Sequence, residues 1–205
     1  MTTVGRWSPN KVRARVLDGT WVSTEELGGM VLLTPTSIAY SGTSATVGAN
    51  GSVTFSACSV LTLNGVFSAD YDNYMVSVRH VSSTDTALFA RYRASGVNAD
   101  AANYTDQAID ATGASVNGFR STSETGARYG VMSSSQRGGD TIYVYGPALA
   151  QPTASRNVNA GAQSNAYIGD RAATHSLSTA YDGLTLYTGS GTFTGLVSVY
   201  GLVGS

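Results

Sequence analysis

The sequence predicts an all-β protein: an antiparallel β-sandwich, jelly-roll-like, with an extended N-terminal arm. Three observations carry that prediction. The first is composition. Among 205 residues there are 24 glycines and 12 tyrosines, with only 12% charged residues. Ser, Thr and Ala abound, while the helix-favouring Glu, Lys, Leu and Met are scarce; β-branched, aromatic and turn residues suit pleated, half-buried surfaces. The second is alternation. In the run 74–79 (YMVSVR) Tyr74, Val76 and Val78 share one face, and in 88–93 (LFARYR) Leu88, Ala90 and Tyr92 do, because side chains alternate across a strand. The third is spacing: roughly eight to ten such runs, each bounded by turn residues, follow one another at about 8–15-residue intervals, as in sandwiches and jelly rolls. A chain of this length is sandwich-sized and should bury about 70% of its unfolded surface.

Taken in order, residues 1–30 form an attachment arm that differs from the remainder. They hold both tryptophans, Trp7 and Trp21, and the single lysine. Lys11 to Leu17 alternates, and Asp18-Gly19 is a turn signal ahead of Thr20-Trp21-Val22, so a small hairpin is expected. A helical turn begun at 23–27 would end at once on Gly28-Gly29. Some 30 residues cannot build a core, so the arm must dock. Trp7, Arg13, Arg15 and Trp21 are the candidate partner-binding residues, since Trp and Arg are enriched at interface hot spots. Residues 31–49 read as a connector with one edge strand, because Pro35 cannot donate to a central ladder.

The sandwich domain is assigned to 50–205. Runs 52–55 and 60–63, set off by Asn50-Gly51 and Asn64-Gly65, feed the pair 74–79 and 88–93. The polar link 82–86 between the latter suggests that they pair as a hairpin. The segment 97–112, rich in Ala, Asn and Asp, reads as a long surface loop with a helical turn at 104–109. Weaker strands are expected at 116–120 and 127–132, then a clear one at 141–145 (TIYVY) stopped by Gly146-Pro147. Four more follow at 165–168, 174–177, 184–187 and 192–203. Tyr74, Val76, Val78, Ile142, Val144, Val197 and Val199 are the expected core.

The sequence carries little catalytic chemistry. Net charge is −1, so no global field favours nucleic acid or an anionic membrane. The one cysteine, Cys58, cannot close an intrachain disulfide and reads as a small buried hydrophobe. Neither a signal peptide nor a bilayer-spanning run is recognised. HExxH, CxxC, GxSxG and Walker patterns are absent from the sequence. The two histidines, His80 and His175, have no second ligand at metal spacing; His80 falls on a core face and reads as structural. Asp70 and Asp72 are the one carboxylate pair to weigh, either for glycan hydrolysis or for Ca²⁺, against a plain hydrogen-bonded turn. The turn is favoured. No cofactor, metal or catalytic residue is assigned, and the chain is read as non-enzymatic.

Three clusters of residues resemble a known family. They are Phe67-x-x-x-Tyr71-Asp72-Asn73-Tyr74-x-Val76-x-Val78, Leu88-x-x-Arg91-x-Arg93-x-x-Gly96, and Gly195-x-Val197-x-Val199-Tyr200-Gly201. Together they resemble the β-sandwich domain of virion proteins of tailed bacteriophages, of the minor tail or tail-fibre kind found in actinobacteriophages. The resemblance covers about residues 50–205. It implies a structural virion protein, made in the host cytoplasm and located in the virion. The arm would bind another virion protein, of tail or capsid, and the sandwich would form a homotrimer and take part in host attachment. Alternatives are a capsid (head) decoration protein and a glycan-binding module that recognises a host surface glycan. Neither nucleic acid nor membrane is an expected partner.

Overall fold

A computed structural model describes residues 29–162 and 166–203, in which every regular element is a strand. Trp7, Arg13, Arg15 and Trp21, with the hairpin and helical turn expected around them, lie outside the described residues. The chain runs through β1 (Gly29–Leu33), β2 (Ser37–Ser41), β3 (Ser44–Val47), β4 (Val53–Cys58), β5 (Val60–Asn64), β6 (Asn73–Ser82), β7 (Thr86–Ala94) and β8 (Val97–Asn98). It continues through β9 (Tyr104–Thr112), β10 (Ser115–Glu124), β11 (Ala127–Met132), β12 (Gly138–Tyr145), β13 (Thr153–Ala162), β14 (Ala166–His175), β15 (Gly183–Thr188) and β16 (Phe193–Val203).

Two antiparallel sheets of unequal width result. The wide sheet has the order β10-β9-β14-β13-β12-β6-β16-β4-β3, with β1 on the far half of β16. The narrow sheet has the order β11-β7-β15-β5-β2, with short β8 on β7. The fold is therefore the antiparallel β-sandwich that alternation predicts. All seven expected core residues are buried. They face Leu61, Leu63, Leu88, Ala90, Leu184 and Leu186 of the narrow sheet in one hydrophobic cluster, with Phe55 and Phe193 4.6 Å apart between centroids.

The expected 74–79/88–93 hairpin does not form. β6 is flanked by β12 and β16 in the wide sheet, and β7 by β11 and β15 in the narrow one. Their link crosses from one sheet to the other. Alternation specifies which face of a strand is buried; it does not specify which sheet the strand joins. The segment expected as a loop with a helical turn contains β9, flanked on both sides by β14 and β10. β13 lies in a stretch where no strand was expected. Residues 31–49 carry strands of both sheets, β1 and β3 on the wide one and β2 on the narrow one, where one edge strand was expected. Residues 176–182 are irregular, so the strand expected at 174–177 is only the end of β14.

The residues that carry the family resemblance are structural fasteners. A Cβ on Gly195 would lie 1.9 Å from the carbonyl oxygen of Arg79 on β6, at a bulge between β16 and β4. One on Gly201 would lie 2.5 Å from the Tyr71 ring, so Tyr71 lies flat on bare backbone. The Tyr74 hydroxyl donates to the Ser68 carbonyl at 2.6 Å and accepts the Ser68 N–H at 2.7 Å, closing the turn before β6. Arg93 donates to Asn64 at 3.1 Å and to the Gly96 carbonyl, pinning the β7–β8 turn, where Gly96 has φ +80°. Arg79 is main chain at its contact with Gly195 and cannot rotate away. Gly195→Ala should therefore cost about 2 kcal/mol or more. Urea denaturation measures this, and an unchanged midpoint would contradict the close approach.

Candidate functional site

The wide sheet extends beyond the narrow one, and the edge strand β11 lies across β13 and β14. A buried strand edge leaves peptide groups without ladder partners, and each must be satisfied. Here side chains of the wide sheet do so. Asp106 Oδ2 accepts the Arg128 N–H at 3.2 Å, and Asn159 Oδ1 accepts the Val131 N–H at 3.3 Å. The Tyr129 hydroxyl donates to Ser155 Oγ at 2.9 Å. Behind them, the Asp140 carboxylate accepts His80 Nε2–H at 2.7 Å, Asn157 at 2.8 Å and Asn159 at 3.1 Å, all four residues being buried. A Cβ at Gly130 would meet this carboxylate at 2.2 Å, so glycine lets β11 approach it. Arg171, 2% exposed, donates to Asp110 and to the Tyr167 hydroxyl. His80 is thus a structural histidine, as its place on a core face predicts.

At the rim of this polar layer, β10 projects one strand past β9. A cleft of about 190 Å³ opens there, lined by Phe89, Asp106, Phe119, Ser121, Glu124 and Arg128. The Arg128 guanidinium carbon sits 5.3 Å from the Phe119 ring centroid, and Glu124 accepts the Ser121 hydroxyl. Phe89 is stacked on Tyr187 at 5.3 Å, and Arg91 lies over Tyr187 at 4.6 Å. Phe119 is 37% exposed although it belongs to a strand of small polar residues. Asp106 is 2% exposed, yet among the described residues its Oδ1 has no hydrogen-bond partner, and neither has Arg128 Nε. Burial pushes the Asp106 carboxyl up to about 6, against the pull of the Arg128 N–H and with a contribution from Glu124. The cleft is thus lined by carboxylate, guanidinium and aromatic carbon.

A second hollow, of about 150 Å³, is lined mainly by Ala94, Val97, Ala99, Leu177 and Tyr181. Beneath it His175 is packed among Tyr92, Tyr104 and Tyr181, with the Tyr104 centroid 4.3 Å away. Its Nδ1 meets the Tyr181 hydroxyl at 3.1 Å, and burial holds its pKa below the usual 6.5.

Of the residues weighed from sequence, Asp70 accepts the Ser68 hydroxyl at 2.9 Å in an exposed turn, and the Asp72 carbonyl accepts the Gly146 N–H at 2.8 Å. Among the described residues no group of three His, Cys, Asp or Glu side chains could hold a metal. Cys58 is fully buried, its thiol directed at the Ser44 and Ser56 carbonyls, and burial raises its pKa. No motif in the sequence marks the cleft residues; the one signal is Phe119, the single aromatic of β10.

No protein-family model matches the chain, and no curated protein does. Among solved structures, one described as "CBM4 structure and function" is similar at 13% identity, over 82% of this chain and 94% of that one. Its TM-score is 0.21, too loose a superposition to carry an argument.

Two buried groups make stability depend on pH with opposite signs. Asp106 binds its proton more tightly folded than unfolded, so its contribution falls as pH rises from about 4 to about 6. Asp106→Asn should accordingly gain stability relative to the parent above pH 6, by about 2–3 kcal/mol, with the gain vanishing below about pH 4. His175 binds its proton less tightly folded than unfolded, so stability is lost as pH falls below 6.5. His175→Phe should flatten the stability loss between about pH 7.5 and 5. Denaturation midpoints across pH distinguish the two, and parallel curves for parent and variant would refute either assignment.

Proposed function

We propose that this chain is a non-enzymatic structural protein of a bacteriophage virion, a minor tail or tail-fibre component. Residues 1–30 anchor it, and the sandwich projects as a homotrimer. The observation that carries the proposal is the outer face of the wide sheet at its β10 end. Ile109, Val116 and Ile168 are 61, 70 and 64% exposed there, with Val158 beside them. Ile168, Ala111 and Val116 stand in one cross-strand row. Asp170, ion-paired with Arg156, stands between Val158 and Ile109 in the next row; exposed apolar side chains gathered on one face and bordered by polar ones mark a contact surface. It adjoins β10, whose side chains are mostly exposed and whose outer edge has no partner strand among the described residues. The ionisable groups support a structural role as well, because His80 is paired with Asp140 in the interior and the buried Arg171 with half-buried Asp110. A capsid decoration protein would use the same surfaces at a different address.

The test separates the two surfaces. Ile109→Lys together with Ile168→Lys should turn the oligomer into a folded monomer by light scattering, since both side chains already face solvent. Deleting residues 1–28, which leaves β1 whole, should leave a folded oligomer that no longer joins virions lacking the protein. A parent chain that is monomeric removes the trimer, and undiminished virion binding by the truncated chain removes the anchor.

A further inference from the structure

We infer that the cleft between β10 and β11 binds a single ring of a neutral saccharide. The site is built from three features that do not serve the core. The first is a carboxylate and a guanidinium on one cavity lining, each with a polar atom left unpaired among the described residues. Asp106 Oδ1 and Arg128 Nε are both buried and, among the described residues, without partners, and their residues are held together by the Arg128 N–H on Asp106 Oδ2. A carboxylate oxygen beside a guanidinium N–H matches two adjacent hydroxyls, one donating and its neighbour accepting. Buried polar atoms left unsatisfied are costly, so a ligand that satisfies both is favoured.

The second feature is aromatic carbon at the same place. Phe119 and Phe89 line the cleft, and Phe119 keeps 37% of its surface exposed. The C–H face of a sugar ring packs against such surface. In a polar edge strand Phe119 has no core to fill, since it reaches past the border of the narrow sheet.

The third feature is charge. Asp106 and Glu124 outnumber Arg128 in the lining, so an anionic sugar is repelled. A neutral ligand escapes that penalty, a discrimination made by repulsion. A volume of about 190 Å³ lies below the ~300–1,000 Å³ of sites that enclose drug-sized ligands, which limits the cleft to one ring, as at the tip of a chain. The inference rests on the cleft alone and not on the virion reading.

Saturation-transfer NMR on the full chain tests it, with methyl α-glucopyranoside, methyl α-galactopyranoside and methyl α-mannopyranoside as neutral probes and glucuronate as the anionic one. At least one neutral glycoside should receive saturation and glucuronate should not. Phe119→Ala should weaken that binding about tenfold or more, whereas Phe119→Tyr, which keeps the ring, should retain it. Ser121→Tyr fills the cleft away from the sandwich core and should abolish binding while leaving the thermal midpoint near that of the parent. The inference is overturned if all three neutral probes fail to bind at about 50 mM, if glucuronate binds as well as they do, or if Ser121→Tyr binds like the parent. Failure of the full chain to join virions, with sugar binding intact, would remove the virion reading and leave the cleft standing.

Discussion

The constraint on which the structure depends is that one sheet is wider than the other. A strand at the border of the narrow sheet must lie on the face of the wide one with its peptide edge buried, and water cannot reach it. The wide sheet answers with carboxylate, amide and hydroxyl groups where an ordinary sandwich would place Val or Leu. Asp106, Asn159 and Ser155 engage β11 directly, and Asp140 ties the layer back to His80. Because an unmet buried peptide group costs about as much as a lost hydrogen bond, these polar residues are as necessary as the aliphatic ones next to them. The interior thus has two halves: an aliphatic one under β7, β15 and β5, and a polar one under β11.

That division explains what the sequence discloses. In the aliphatic half the inward residues are Tyr74, Val76, Val78, Leu88 and Leu186, alternation is plain, and the strands and their buried faces are readable. In the polar half the inward residues of β9 are Tyr104, Asp106 and Ala108, and those of β13 are Thr153, Ser155, Asn157 and Asn159. Period two is still present, but it alternates polar with polar, so β9 resembles a loop and β13 resembles nothing. The β6–β7 link failed for a different reason. A crossing between sheets and a hairpin place the same residues inward, and only the neighbours taken by each strand tell them apart. The cleft was illegible because Asp106, Phe119 and Arg128 come from three strands whose juxtaposition depends on the overhang.

The glycines and tyrosines that carry the family resemblance act at closures. Tyr74 fastens the turn that leads into β6, Tyr71 lies on the bare backbone of Gly201, and Gly195 lets β16 press against the carbonyl of Arg79. Each needs one residue type for a steric reason, which makes the pattern recognisable without any chemistry in it. The resemblance and the candidate site consequently lie in different parts of the molecule. The fasteners sit around β6, β16 and the β7–β8 turn, and the cleft sits at the border beside β10, where Phe89 of β7 reaches it.

The position of β16 bears on how the molecule is made. It is the last of the described strands in chain order, yet it lies inside the wide sheet, paired with β6 on one side and with β4 and β1 on the other. Three strands made much earlier must therefore wait for it with open edges, and open edges are what neighbouring chains add to. Closing such distant pairings is slow. During synthesis of many copies close together, the interval before β16 arrives is when assembly between chains competes with folding within one.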